Sequence, residues 1–274
     1  MSNELTIAHY LNAVADKYGD RPALYFKSAF RTFSLLREIL AAHKQEILGY
    51  TFPRWAATRL VRILGIPFRA IAFGIPALFS RTTVEGRENL AGLRTPAIFI
   101  ANHVSYYDPA YVIPALPRHL RKIAAAAAAD VLFELKPEYR WKEKLRIRFQ
   151  GFWAKFLLNA FPMSRGMHVK KSFEYMGELI DYGWNILLFP EGRITLTGEM
   201  DHFKGGIGLL AQAMQVPVVP VKLEGLWPIV GGSRFIPKSV GRVRVLFGKA
   251  LEVDLKADPD EITQQFENAL RGLS

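Results

Sequence analysis

Four short, almost unbroken apolar runs constrain this chain more than anything else in it: Ala97–Ala101, Ile186–Phe189, Val216–Leu223 and Val243–Phe247. Each is of strand length and most are rich in β-branched residues, with helical stretches such as Ser172–Asp181 and Ile207–Gln215 between them. A strand with one face in water alternates apolar and polar residues, whereas a run apolar throughout must be covered on both faces. The expected fold is therefore α/β, a mainly parallel central sheet flanked by helices. In such sheets chemistry gathers where strands end and loops begin. The alanine run at 124–129 suits a strand or a strand-helix junction where backbones pass closely. Val216–Leu223 contains Pro217 and Pro220, which an inner strand does not tolerate easily.

The α/β pattern covers 82–274, and two different regions precede it. Residues 1–50 read as a short N-terminal extension. Leu5, Ala8, Leu11, Val14 and Ala15 recur at helical spacing, and Phe33–Leu48 reads as a second helix. Residues 51–81 read as basic amphipathic helices. Arg54, Arg59, Arg62, Arg69 and Arg81 lie there in an apolar background without an acidic residue. On a helix, Arg59, Arg62 and Arg69 fall within about 80° of one another, opposite a broad apolar face. Gly65-Ile66-Pro67 and Gly74-Ile75-Pro76 break the segment into pieces. The longest uncharged stretch, Ala70–Ser80, is far short of the ~20 residues a spanning helix needs. The expected arrangement is an amphipathic membrane-association motif in the bilayer interface, with Arg59, Arg62 and Arg69 meeting lipid phosphates. The alternative is a basic hairpin packed on its own domain.

Charge narrows the partners. With 36 Lys and Arg against 25 Asp and Glu, the formal net charge is +11, which attracts anionic membranes, nucleic acids or phosphorylated substrates. The absence of cysteine removes disulfide scaffolds, thiolate zinc sites and cysteine nucleophiles. The N-terminus lacks a charged-then-apolar layout, so export is not expected.

The chemistry-bearing blocks come after the apolar runs. Asn102-His103-Val104-Ser105-Tyr106-Tyr107-Asp108-Pro109 lies directly behind Ala97–Ala101. On one helix His103 and Asp108 would lie about 140° apart, so they meet only if His103 is on the loop. With Pro109 at the first helical position, Asp108 is the expected N-cap. Its carboxylate could accept the imidazole Nδ1–H and leave Nε2 free to take a proton. The plainer reading is a helix cap beside an ordinary loop histidine. Phe189-Pro190-Glu191-Gly192-Arg193 forms a tight turn in which glycine admits a substrate and arginine can grip a phosphate. A surface Glu-Arg turn is the ordinary alternative. Phe161-Pro162-Met163-Ser164-Arg165 sets another arginine after an apolar run, and Phe203-Lys204-Gly205-Gly206 puts a lysine just ahead of a helix.

With its N-H-x4-D block, arginine-bearing second block, F-P-E-G block and proline-containing strand in this order, the chain resembles the glycerolipid and lysophospholipid acyltransferase family, including the 1-acylglycerol-3-phosphate acyltransferases. The resemblance runs over roughly residues 50–250. It implies His103 as general base on an acceptor hydroxyl, Asp108 as its orienting partner, and direct attack on a thioester without an acyl-enzyme. It also implies that Arg165, Glu191, Gly192 and Arg193 bind the acceptor near its phosphate. Lys204 is added as a second phosphate contact by its position. Many members have a residue between the glycine and the arginine, whereas Arg193 follows Gly192 directly here. The donor would be acyl-CoA or acyl carrier protein, with no cofactor and no metal. The acceptor would be a lysophospholipid, and the location the cytoplasmic face of a membrane, peripheral or monotopic. Tyr18–Leu24 and Arg31–Leu36 resemble the opening of acyl-adenylate-forming synthetases, to which such domains are also fused. A synthetase is therefore a further expected partner.

Other classes fit less well. Gly206-Ile207-Gly208 through Ala211 formally matches a dinucleotide fingerprint but follows a polar stretch rather than a strand. There is no G-x-S-x-G elbow, Walker A motif or H-E-x-x-H. A thioesterase on the same scaffold, with water in place of the alcohol, is the enzymatic alternative. A basic nucleic-acid or membrane-binding module is the other, because Lys136–Lys155 interleaves cations with Trp141, Phe149 and Trp153. Nucleic acid is not among the partners expected.

Overall fold

The computed structural model describes residues 59–93, 96–128, 138–163, 169–232 and 236–274. The expected extension over 1–50 and Arg165 lie outside the described residues, as does the side chain of Arg59.

In chain order the elements are α1 (Arg59–Leu64), α2 (Ile66–Gly74), β1 (Ser80–Glu85), β2 (Ile98–Ala101), α3 (Asp108–Ala115), β3 (Ile123–Ala128), α4 (Trp141–Leu158) and β4 (Phe161–Met163). Next come α5 (Val169–Asp181), β5 (Asn185–Leu188), α6 (Ile207–Met214), β6 (Val218–Glu224), α7 (Trp227–Val230), β7 (Gly241–Phe247) and α8 (Pro259–Arg271). The strands form one sheet in the order β1-β7-β6-β2-β5-β3-β4. From β6 through β4 every neighbour is parallel. β7 joins β6 antiparallel and carries β1 parallel to itself.

Period-two alternation explains the unbroken apolar runs. Phe99 and Ala101 of β2 enter a core with Val219, Val221, Val245 and Phe247, roofed by Tyr111, Val112 and Leu116 at α3. Ile98 and Ile100 enter the opposite core with Ile186, Leu188 and Val218, covered by residues of α5, α6 and α8. A side chain as central as Phe99 contributes about 3–5 kcal/mol against truncation to alanine. Phe73 of α2 and Leu158 of α4 pack against the first of these cores, on the α3 side.

Two local features depart from the sequence reading. β6 lies inside the sheet despite Pro220. Val218 exchanges both backbone hydrogen bonds with Leu251, and Pro220, two residues on, points the same way and accepts from Gly248 N–H. The missing proline donor therefore faces a segment just past the end of β7, where no ladder bond is lost. β1 begins at Ser80, so Arg81 stands on an exposed edge strand and not on a helix. Its polar run, Ser80–Glu85, carries no continuous apolar signal because it borders solvent. At Gly74-Ile75-Pro76, where the sequence marks a break, α2 ends and a short 3₁₀ turn follows over Ile75–Leu78 with Pro76 buried.

Candidate active site

The C-terminal ends of the central strands β6, β2 and β5 lie side by side, and the site is built on the loops that leave β2 and β5. Asn102 comes directly after β2. Its Nδ2 donates to the Leu223 carbonyl at 3.0 Å and its Oδ1 accepts from Leu223 N–H at 2.7 Å. The side chain thus imitates one more rung of the ladder to β6 and fixes where the chain leaves the sheet.

His103 comes next, 19% exposed, with Nδ1 2.7 Å from Asp108 Oδ2. The same Oδ2 accepts from Val104 N–H at 2.7 Å and Ser105 N–H at 3.1 Å. The N-cap of α3 is Tyr107, not Asp108, which is the first helical residue. Its carboxylate reaches back to tie the 103–105 turn instead of capping its own helix. Asp108 is wholly buried, which pushes its pKa up from the ordinary carboxylate value, against the opposing pull of His103 and the two N–H groups. Its Oδ1 lacks a hydrogen-bond partner among the described residues. A carboxylate can only accept, so Nδ1 carries the proton and Nε2 presents a lone pair. Among the described residues no hydrogen bond engages Nε2.

The loop after β5 supports the imidazole. Phe189 stacks on the His103 ring with centroids 4.2 Å apart and planes 21° off parallel. Glu191 Oε1 accepts the His103 backbone N–H at 2.6 Å, while Oε2 accepts Asp201 N–H at 2.9 Å. Thr195 N–H donates to the His103 carbonyl at 2.8 Å. Glu191 is 1% exposed. Its burial raises its pKa, against the two backbone donors. The carboxylate expected to touch the acceptor therefore has both oxygens engaged in clamping two loops to the backbone of His103.

Gly192 has φ 71°, and a Cβ there would come within 3.3 Å of Lys204 Cγ. The turn thus needs glycine for its positive φ, while the exposed Lys204 side chain can give by a few tenths of an ångström. Arg193 donates through Nε to Asp201 Oδ2 at 2.8 Å, and its Nη2 lies 2.8 Å from the same oxygen, in an exposed pair. Lys204 is exposed, its backbone N–H held by the Pro190 carbonyl at 2.9 Å. Five predicted residues, Asp108, His103, Glu191, Gly192 and Arg193, thus belong to one hydrogen-bonded loop assembly, with Lys204 beside Gly192. Gly208, in the rejected dinucleotide pattern, serves packing: a Cβ there would meet the Pro259 carbonyl at 2.0 Å.

The arginines expected to face lipid are arranged differently. Arg69 donates to the Phe156 carbonyl at 3.3 Å and to the Arg62 carbonyl, so it pins α2 to α4. Arg62 lies 5.1 Å from the centroid of the Trp184 ring. Both cations are turned toward the protein because each finds an acceptor or a ring there.

Asn102, Phe189 and Thr195 carry the site without having been singled out from sequence. The first two sit inside the blocks that the sequence marks. Thr195 gives no local signal, since its partner His103 is distant in the chain.

A family model described as Acyltransferase matches residues 81–224. The chloroplastic 1-acyl-sn-glycerol-3-phosphate acyltransferase BAT2 of Brassica napus is 28% identical over 189 residues, covering 66% of this chain and 48% of that one. The 1-acyl-sn-glycerol-3-phosphate acyltransferase of Pseudomonas aeruginosa is 24% identical over 179 residues, covering 64% and 60%. The chain spans about half the length of the first curated relatives it matches. In fold it is similar to the crystal structure of the 1-acyl-sn-glycerophosphate acyltransferase PlsC from Thermotoga maritima, with a TM-score of 0.58, 18% identity and 92% of each chain covered.

Proposed function

The chain belongs to the Acyltransferase family, and on that premise we propose that it transfers a fatty acyl group from a thioester to the hydroxyl of a lysophospholipid, with 1-acylglycerol-3-phosphate as the acceptor. The names of its relatives support that acceptor. The thioester is acyl-CoA or acyl carrier protein. The observation that carries the reading is the 2.7 Å contact between His103 Nδ1 and a buried Asp108, which leaves Nε2 open at a strand end.

Nε2 takes the proton of the acceptor hydroxyl as the oxygen forms its bond to the thioester carbonyl carbon. Collapse of the tetrahedral intermediate breaks the C–S bond, and the imidazolium returns the proton to the departing sulfur. Asp108 holds the tautomer and balances the transient imidazolium. Glu191 and Thr195 hold the His103 backbone, so they act through it and are positioning residues. Arg193, Lys204 and Arg165 are the cations offered to the acceptor phosphate, with Gly192 admitting it close to the turn.

The enzyme works at an anionic membrane surface, peripherally on the cytoplasmic face. No helix among the described residues is long and apolar enough to cross a bilayer. The two residues that follow the 3₁₀ turn touch the site's helix and loop: Ser80 Oγ lies 2.8 Å from Tyr111 Oη of α3, and Phe79 packs edge-on to Tyr107 at 5.6 Å. A membrane-associated segment so placed sets the site close to lipid substrates. Residues 1–50 are the element offered to a synthetase partner.

The test is thiol release from palmitoyl-CoA by detergent-solubilised protein, with and without lysophosphatidate, beside His103→Ala. Acceptor-dependent release lost in the variant is the expected result. Release that ignores the acceptor would make the protein a thioesterase.

A further inference from the structure

α4 has its polarity reversed for a helix on a soluble surface. Its buried residues are Ile147 and Gly151, whereas Trp141 (70% exposed), Leu145 (60%), Phe149 (64%) and Phe152 face outward. At about 100° per residue these four span only about 80° of the helix circumference. Arg148 borders that stripe on one side, and Lys142 and Arg146 border it on the other. All three are exposed. Lys142 Nζ stands 5.6 Å from the Trp141 ring centroid. The lone acid of the helix, Glu143, accepts the Arg140 N–H at 2.8 Å and so serves the helix start.

The stripe does not end at α4. Phe149 packs against Trp153 at 6.1 Å, Trp153 against Phe68 of α2 at 5.9 Å, and Phe68 against Phe156 at 5.5 Å. Beyond Phe68, the outward Ile71, about 60° from it on the same helix, extends the apolar surface along α2. One aromatic seam thus joins two helices into a single exposed apolar face, larger than isolated surface residues explain.

We propose that α4 is a bilayer-docking helix, lying in the interface of an anionic membrane with Trp141, Leu145, Phe149 and Phe152 among the acyl chains and Lys142, Arg146 and Arg148 at the phosphates. This deepens the membrane-surface reading above and rests on it. An extended apolar face bordered by cations, with its acid occupied elsewhere, matches an anionic interface in both hydrophobicity and charge. It also replaces the expected lipid-facing arginines: Arg69 is engaged by the Arg62 and Phe156 carbonyls, and Arg62 by Trp184. Leu158 ends α4 just before β4 begins, and the 18-residue helix is about 27 Å long.

The experiment is co-sedimentation of the full chain with phosphatidylcholine vesicles, with and without about 30% phosphatidylglycerol. Wild type is compared with Leu145→Ser/Phe149→Ser and with Arg146→Gln/Arg148→Gln. The residues are exposed, and circular dichroism checks the fold of each variant. The apolar pair should lower partition at least about tenfold on the anionic vesicles. The charge pair should lower it on anionic vesicles only. Wild-type partition in either variant, or no vesicle binding by wild type, overturns the proposal. So does a dimer of wild type that the apolar pair dissociates while vesicle binding persists, since a second copy would then cover the face. Turnover in detergent separates this from the catalytic reading. Partition lost with detergent turnover unchanged supports docking, and failed turnover with the partition effects intact sinks only the reaction.

Discussion

The sheet edge at His103 and the outer face of α4 treat their side chains in opposite ways. At the edge, polar groups removed wholly or partly from water are tied down: Asn102 to Leu223, Asp108 to His103 and two N–H groups, Glu191 to His103 and Asp201. On α4, large apolar groups stand in water with little to cover them. The first pattern fixes a few atoms to a few tenths of an ångström, as proton transfer requires. The second leaves free energy unrealised in solution, to be gained only against a partner of like polarity. On the two proposals above, catalysis and membrane docking fall to separate parts of the chain, and substitutions should separate them.

The largest effect expected is His103→Ala, with turnover lower by about a thousandfold and vesicle binding unchanged. A parallel loss of vesicle binding would show that the two regions are coupled.

Next is Glu191→Gln. A glutamine can accept one of the two backbone N–H groups but points its own donor at the other. One buried N–H is left unpaired, costing about 1–3 kcal/mol in a urea titration. Because Glu191 acts on the His103 backbone, kcat should fall while KM for the acceptor stays near wild type. A raised KM with kcat intact would return Glu191 to the acceptor-contact role implied by the family resemblance.

Asp108→Asn tests the edge through pH. Burial raises the Asp108 pKa in the folded chain, so between its unfolded and folded values the native state holds a proton the unfolded chain has shed. The stability this group contributes is complete below the unfolded pKa and is lost as pH rises through the folded one. Urea midpoints measured upward from about pH 4 should therefore drift in favour of the Asp108→Asn variant over wild type. The opposite drift would mean that the three N–H donors outweigh burial.

How much of this was legible depended on the range of the interaction. β2 and β5 were readable because burial on both faces writes an apolar residue at every position. His103 and Asp108 were readable because their pairing is five residues long. β1 was not, since an exposed edge strand such as Ser80–Glu85 has no apolar rhythm to betray it. Pro220 pointed away from the sheet interior, and only the register against Gly248 explains why it is tolerated there. The holding roles of Asn102, Glu191 and Thr195 depend on partners 121, 88 and 92 positions away, and no local pattern encodes them. For Arg62 and Arg69 the periodicity is visible in the sequence, while Trp184 beside the first and the Phe156 carbonyl beside the second are not.

The smallest effect expected is at Arg193. Its pair with Asp201 is exposed on both sides, and such pairs contribute under about 1 kcal/mol. Arg193→Gln should therefore leave the urea midpoint almost unmoved. The Asp201 backbone N–H, which Glu191 holds, is untouched by that change, so the His103 clamp stays in place. A guanidinium that stabilises so little is available to exchange Asp201 for the acceptor phosphate, and the pair then serves to aim it. The variant should raise the acceptor KM severalfold with little change in kcat, measured at saturating acyl-CoA. Unchanged KM would assign the phosphate to Lys204 and Arg165, and would fit the missing residue between Gly192 and Arg193 having moved this arginine out of reach.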